Sequence, residues 1–171
     1  MANCAPKTPP TGCLDVTIQE SIILPNYNVQ ESFNKFTVCG INNYVTRTEV
    51  IDYQWSGSLT ENGIGIIGFV PTKQELTPGA FVNSDVKYIR ITNFPTSDKF
   101  ASIFCVKSNA ESVTFKVEPG KSLVLTGDAF DVPSVVSGSL VYMNEIKAMA
   151  GDGTDTDYSG SIQIEYVVAS T

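Results

Sequence analysis

Three aspartates in one short glycine-rich segment are the chain's clearest candidate for chemistry: Gly151-Asp152-Gly153-Thr154-Asp155-Thr156-Asp157 gathers carboxylates whose oxygens could hold a hard cation such as Ca²⁺. The order lacks EF-hand spacing and its terminal Glu, and Asp and Gly are also ordinary turn residues. The segment therefore reads first as a hairpin loop, with Asp152, Asp155 and Asp157 as the residues that would hold a metal if one binds. Glu49, Asp52, Glu61 and Glu75 could supply a glycosidase-type carboxylate pair, but spacing along the chain singles out no pair. Tyr44, Tyr53 and Trp55 could form an aromatic platform for a sugar; shared or neighbouring parity in a strand points more often to core packing.

Other chemistry lacks its parts. Histidine is absent, which removes Ser-His-Asp and Cys-His catalysis and every imidazole metal ligand. The expectation is a protein without enzymatic activity and without a cofactor. Gly63-Ile64-Gly65-Ile66-Ile67-Gly68 has the G-x-G-x-x-G spacing of a nucleotide loop, but no strand-to-helix transition follows. Its glycines read instead as places where another backbone or ring comes close. Of the four cysteines, Cys4, Cys13, Cys39 and Cys105, none forms a C-x-x-C pair. Cys39 and Cys105 lie in strand patterns and read as small buried hydrophobes. Cys4 and Cys13 could pair with each other. Met1 to Pro6 has neither a basic nor an apolar signal region, so the expectation is a chain made in a reducing cytosol, not secreted, where disulfides are disfavoured.

Composition narrows the partners. Of the 171 residues, 42% are hydrophobic and only 17% charged, against roughly 25% charged in an average soluble domain. The polar surface is carried by Ser, Thr and Asn, as in β proteins and in subunits buried in assemblies. The net charge is −7 and no stretch concentrates Lys or Arg, which argues against nucleic acid and against anionic membranes.

The elements that would position these residues are strands. Residues 1–13 hold three prolines and one glycine without periodicity and read as an extended N-terminal arm. Residues 14–171 read as one domain. Leu14, Val16 and Ile18 alternate with polar residues; Phe36–Cys39 is a short strand ended by Gly40; Tyr44–Trp55 is a longer one whose charged middle predicts a bend. Ile89 and Ile91 flank Arg90, Phe100–Val106 is almost wholly apolar, and Val113, Phe115 and Val117 alternate before the Pro119-Gly120 turn. Tyr142–Ala150 fits either a helix or a strand, and Ile162, Ile164, Tyr166 and Val168 form a closing strand. The fold class is all-β: an antiparallel β-sandwich, jelly-roll-like, preceded by the arm.

Two segments carry a resemblance. Ile91-Thr92-Asn93, then the apolar Ile103-Phe104-Cys105-Val106, then Phe115-Lys116-Val117-Glu118-Pro119-Gly120-Lys121-Ser122-Leu123-Val124-Leu125 resemble small bacteriophage virion proteins. Those have an "I-x-N" step, a polar hairpin, an apolar strand and "F-x-V/L-x-P-G-x-S-x-x-L". Ile146–Ala150, the acidic loop and Ile162–Tyr166 resemble the way such domains close. The resemblance implies a structural subunit on the outside of a virion, as an auxiliary capsid protein of decoration or head-fibre type, or alternatively a tail or neck component. Its partners would be the major capsid protein or neighbouring subunits, with homo-oligomers as the default. An expectation from another class is a glycan-binding β-sandwich module.

Overall fold

A strand with one apolar face is stable only when that face is covered, so alternating strands assemble as facing sheets. The computed structural model describes residues 11–23, 29–53, 63–71, 80–127, 131–133, 140–155 and 159–171. Among these, the chain forms β1 (Gly12–Ile23), β2 (Val29–Ile41), β3 (Asn43–Asp52), β4 (Ile64–Val70), β5 (Ala80–Val82), β6 (Val86–Asn93), β7 (Ala101–Lys107), β8 (Ser112–Val117), β9 (Ser122–Thr126), β10 (Asp131–Pro133), β11 (Leu140–Ala150) and β12 (Ser161–Ser170). Tyr142–Ala150 belongs to β11 and is extended throughout. The helical propensity of Met, Glu, Lys and Ala yields there to pairing on both sides, with β4 and with β7. A register shift between Met143 and Glu145 resets the alternation, so that Met143 and Ile146 both reach the core.

β1 and β2 form a separate hairpin. The remaining strands form a four-stranded sheet, β3-β12-β6-β9, and a six-stranded sheet, β5-β4-β11-β7-β8 with β10 on β11. The pairing is nested: β3 with β12, β4 with β11, β6 with β9 and β7 with β8, all antiparallel. The short β4–β5 ladder is parallel, an exception to the antiparallel expectation. The sheets pack face to face as a sandwich. Ile51, Ile89, Ile91, Ile162, Ile164 and Val168 from one sheet meet Ile67, Phe69, Ile103, Cys105, Ile146 and Ala148 from the other in a single buried cluster. Gly63, just before β4, is where neighbouring side chains come close: a Cβ there would lie 2.9 Å from Lys147 Cβ and 3.2 Å from the Phe104 ring.

Asn93 ties the connections between the sheets. After it the chain leaves the four-stranded sheet for β7; after β8 the chain returns through Pro119-Gly120 to β9. The Asn93 backbone N–H donates to the Lys121 carbonyl at 3.0 Å and its carbonyl accepts from Gly120 N–H at 2.8 Å. Its fully buried side chain donates through Nδ2 to the carbonyls of Lys99 and Val117, both at 3.0 Å. Gly120 sits at φ +74°, where an L side chain is strained, and packs on Pro95. The "I-x-N" step and the "P-G-x-S" turn therefore meet in space.

The N-terminal region differs from expectation. Residues 1–10 of the expected arm lie outside the described residues, while Gly12 and Cys13 already belong to β1. Gly40 does not end a strand. It is an extra residue in β2 at φ +83°, skipped where the register passes from Gly12↔Ile41 to Cys13↔Cys39. β3 stays paired with β12 along its whole length and does not bend away. Its charged middle is tolerated because β3 is an edge strand: Arg47 and Glu49, of core-facing parity with Val45 and Ile51, reach solvent past the rim.

Asn93→Ala leaves two carbonyls without their donor and is expected to lower unfolding free energy by about 2 kcal/mol. The core truncation Ile103→Ala should cost about 3 kcal/mol. Urea denaturation measures both, and an Asn93→Ala loss near zero would refute the linking role.

Candidate functional site

The acidic loop is held by the protein's own groups. Asp152 Oδ1 accepts from Thr154 N–H at 3.0 Å and from its hydroxyl at 2.7 Å, which holds the Asp152 carboxyl below its usual range. Asp155 pairs with Lys99 Nζ at 2.9 Å, and its backbone carbonyl accepts from the Tyr53 hydroxyl. Gly151 and Gly153 take positive φ, +67° and +74°, and Ser102 Oγ donates to the Gly151 carbonyl at 2.6 Å. Asp157 lies outside the described residues. Among the described residues, no three His, Cys, Asp or Glu side chains converge as a metal-binding group.

The other candidates are scattered. Glu49 and Asp52 have opposite parity on β3 and so point to opposite faces; Glu61 and Glu75 lie outside the described residues. Tyr44 and Tyr53 also have opposite parity and stand near opposite ends of β3, roughly 30 Å apart along an extended chain. Trp55 lies outside the described residues. Tyr44 and Tyr53 therefore share no platform. Tyr53 packs against the core instead.

Cysteine usage is corrected. Cys13 and Cys39 form a disulfide, with their Cα atoms 4.1 Å apart, and both residues are exposed. A Cys4–Cys13 pair, left open by the sequence, is thereby excluded, as is the expected buried Cys39, and the disfavoured disulfide is present. The reason is register: the Gly40 bulge sets Cys39 directly opposite Cys13. Cys105 is the buried hydrophobe expected, a free thiol that burial pushes up to about 11.

The surface that sequence reasoning missed lies on the outer side of the four-stranded sheet. Tyr88, Val167 and Ala169 point away from the main core and are covered by Leu14, Val16 and Ile41 of the hairpin. The signal was available: Tyr166-Val167-Val168-Ala169 is a continuous apolar run, as expected of a strand covered on both faces. Cover is incomplete. A groove of about 270 Å³ runs between hairpin and sheet, lined among others by Val16, Ile18, Tyr44, Tyr88, Arg90 and Val124. Arg90, one of its lining residues, pairs with Glu165 at 2.5 Å. Burial raises the Tyr88 hydroxyl above the usual tyrosine range. Further out on the same side, Val50 on β3 is 63% exposed, while Phe33, opposite Gln19, is 68% exposed on the hairpin's other face. Apolar side chains beside two ion pairs, Arg90–Glu165 and Lys35–Asp15, form a contact surface, suited to a protein partner or an aromatic-stacking ligand.

Neither EDTA nor added Ca²⁺ should shift the melting temperature; a rise with Ca²⁺ that Asp152→Ala abolishes would assign the cation to the acidic loop. Because the Asp152 carboxyl is lowered, its stabilising contribution is present above the ordinary carboxylate range and is lost as pH falls through the lowered value. The melting difference between wild type and Asp152→Ala should therefore shrink below about pH 4. Cys105 should resist a thiol reagent at pH 8 in the native chain and react once unfolded; native labelling mapped to Cys105 would mean that β7 opens. No known family model matches the chain, and no curated protein matches it significantly.

Proposed function

We propose that this chain is a non-enzymatic structural subunit of a bacteriophage virion, docking on the particle exterior as an auxiliary capsid protein of decoration or head-fibre type. The observation that carries the reading is the nested strand order, β3-β12-β6-β9 facing β4-β11-β7-β8. Rolling up a long hairpin of eight strands yields that order, which is the order of a jelly roll. Viral capsid and lectin domains and cupins use this architecture. Without histidine, imidazole-based metal chemistry on such a scaffold is closed to this chain.

Three further features support the reading. The β1–β2 hairpin adds a contact element that a bare sandwich lacks, with Ile18 and Phe33 exposed. The exposed Cys13–Cys39 disulfide suits a virion surface, which meets oxidising surroundings after release. The net charge of −7 suits the outside of a particle better than its DNA-facing side. Docking would be multivalent, with weak contacts made effectively permanent by repetition over a lattice.

The second reading, a glycan-binding module, rests on Tyr44, which is 57% exposed at the groove beside Tyr88. Mass spectrometry of purified particles, followed by a density map, tests the first reading. The chain should be present at shell-lattice copy number, and Phe33→Ser with Ile18→Ser should lose at least tenfold in particle binding with an unchanged melting temperature. Density on the tail would move the subunit there. Absence from particles, together with saturable binding on a glycan panel lost in Tyr44→Ala, would replace the reading.

A further inference from the structure

We infer that the Cys13–Cys39 pair is a redox latch that decides whether β1 stays on the body of the protein. β1 has one strand partner among the described residues, β2. Its packing on the body comes from Leu14 and Val16, which lie on Tyr88, Val167 and Ala169. Beyond them the hairpin is exposed: Ser21, Glu31, Ser32 and Phe33 all face solvent. A two-stranded hairpin with so little cover is marginal on its own.

The disulfide sits where it controls this element most. It joins the first rung after the Gly40 bulge, at the base of the hairpin, and spans a sequence separation of 26. Oxidised, it closes the hairpin into a ring, and β1 cannot leave β2 from its base. Reduced, β1 keeps its ladder with β2 and the Lys35–Asp15 pair but loses the covalent closure at its base, and can peel outward from Cys13, uncovering Tyr88 and Val167. Both cysteines are exposed, so small thiols and disulfides can reach them.

Closure is thiol–disulfide exchange with a low-molecular-weight disulfide, RSSR. One cysteine thiolate attacks RSSR and expels RS⁻, forming a mixed disulfide. The other cysteine, as thiolate, displaces the second RS⁻. The pair is oxidised by two electrons, RSSR is reduced to two RS⁻, and these take up the two protons that the cysteines gave up. A reducing cytosol reverses the exchange. The inference stands apart from the virion reading, because the latch needs no particle.

Hydrogen exchange read by mass spectrometry on the full chain, in a Cys4→Ser background to prevent scrambling, tests it. In the oxidised chain residues 13–23 should be protected. With a phosphine reductant, and separately in Cys13→Ser/Cys39→Ser, their exchange should speed up on the order of a hundredfold, while residues 161–170 of β12 stay as protected as before. Oxidised glutathione should restore protection to the reduced chain but not to the double variant. Equal protection of β1 in both states would overturn the latch. So would equal loss in β12, which would mean global unfolding, or peptide mapping that finds Cys13 and Cys39 unlinked after oxidation. Should the double variant fail to fold, the reduced wild-type chain decides the question alone.

Discussion

Two sheets can share one core only if the chain passes between them without leaving polar backbone stranded at the crossing, and Asn93 meets that demand here. Two crossings converge on it, from β6 to β7 and from β8 back to β9. Each has carbonyls that cannot join a ladder. One buried side-chain amide donates to Lys99 and Val117, while the Asn93 backbone exchanges hydrogen bonds with Gly120 and Lys121. Nearby, Ser97 Oγ accepts from Gln163 N–H at 3.0 Å, tying the same junction to β12. The isoleucines of the two inner faces can meet because the crossings hold the sheets in register. A hydrophobic side chain at 93 would fit the burial and fail the hydrogen bonding.

This junction also explains a pattern in the sequence. Asn at the end of a strand and Pro-Gly before the next look like independent turn signals, each sufficient for local reasons. In space they are two halves of one contact. The resemblance to virion proteins through these residues thus follows a requirement of the sandwich itself, and strand order and surface are what support the proposed particle role.

What the sequence made legible was local. Alternation in Ile89-Arg90-Ile91 and Ile162–Val168 marks strands and their buried parity, because a strand reports its own faces. Non-local register was hidden. Nothing near Cys13 reveals that Cys39 lies opposite it; that depends on a hairpin of many rungs and on one residue, Gly40, that drops out of the pairing. The outer contact surface was half legible: the apolar run Tyr166–Ala169 marks a strand covered on both faces, but which element covers Tyr88 and Val167 depends on where the hairpin is placed. The charged residues of β3 misled for a different reason. A strand's middle may carry Arg47 and Glu49 on its core parity when the strand lies at a sheet rim, and rim position is a property of the sheet.

A single residue, Asn42, separates β2 from β3, and its N–H donates to the Ser170 carbonyl at 2.9 Å. The hairpin is therefore not a tassel on a flexible tether. Tension on it enters β3 at once, and β3 is hydrogen-bonded to β12 from Asn43↔Ser170 to Asp52↔Ser161. β12 is in turn an interior strand flanked by β6. A pull along β3 loads this ladder in parallel, all bonds sharing the strain, whereas a pull across it would open the bonds one after another. Whatever the hairpin grips, the direction of the tug decides whether the domain behaves as an anchor or as a zip.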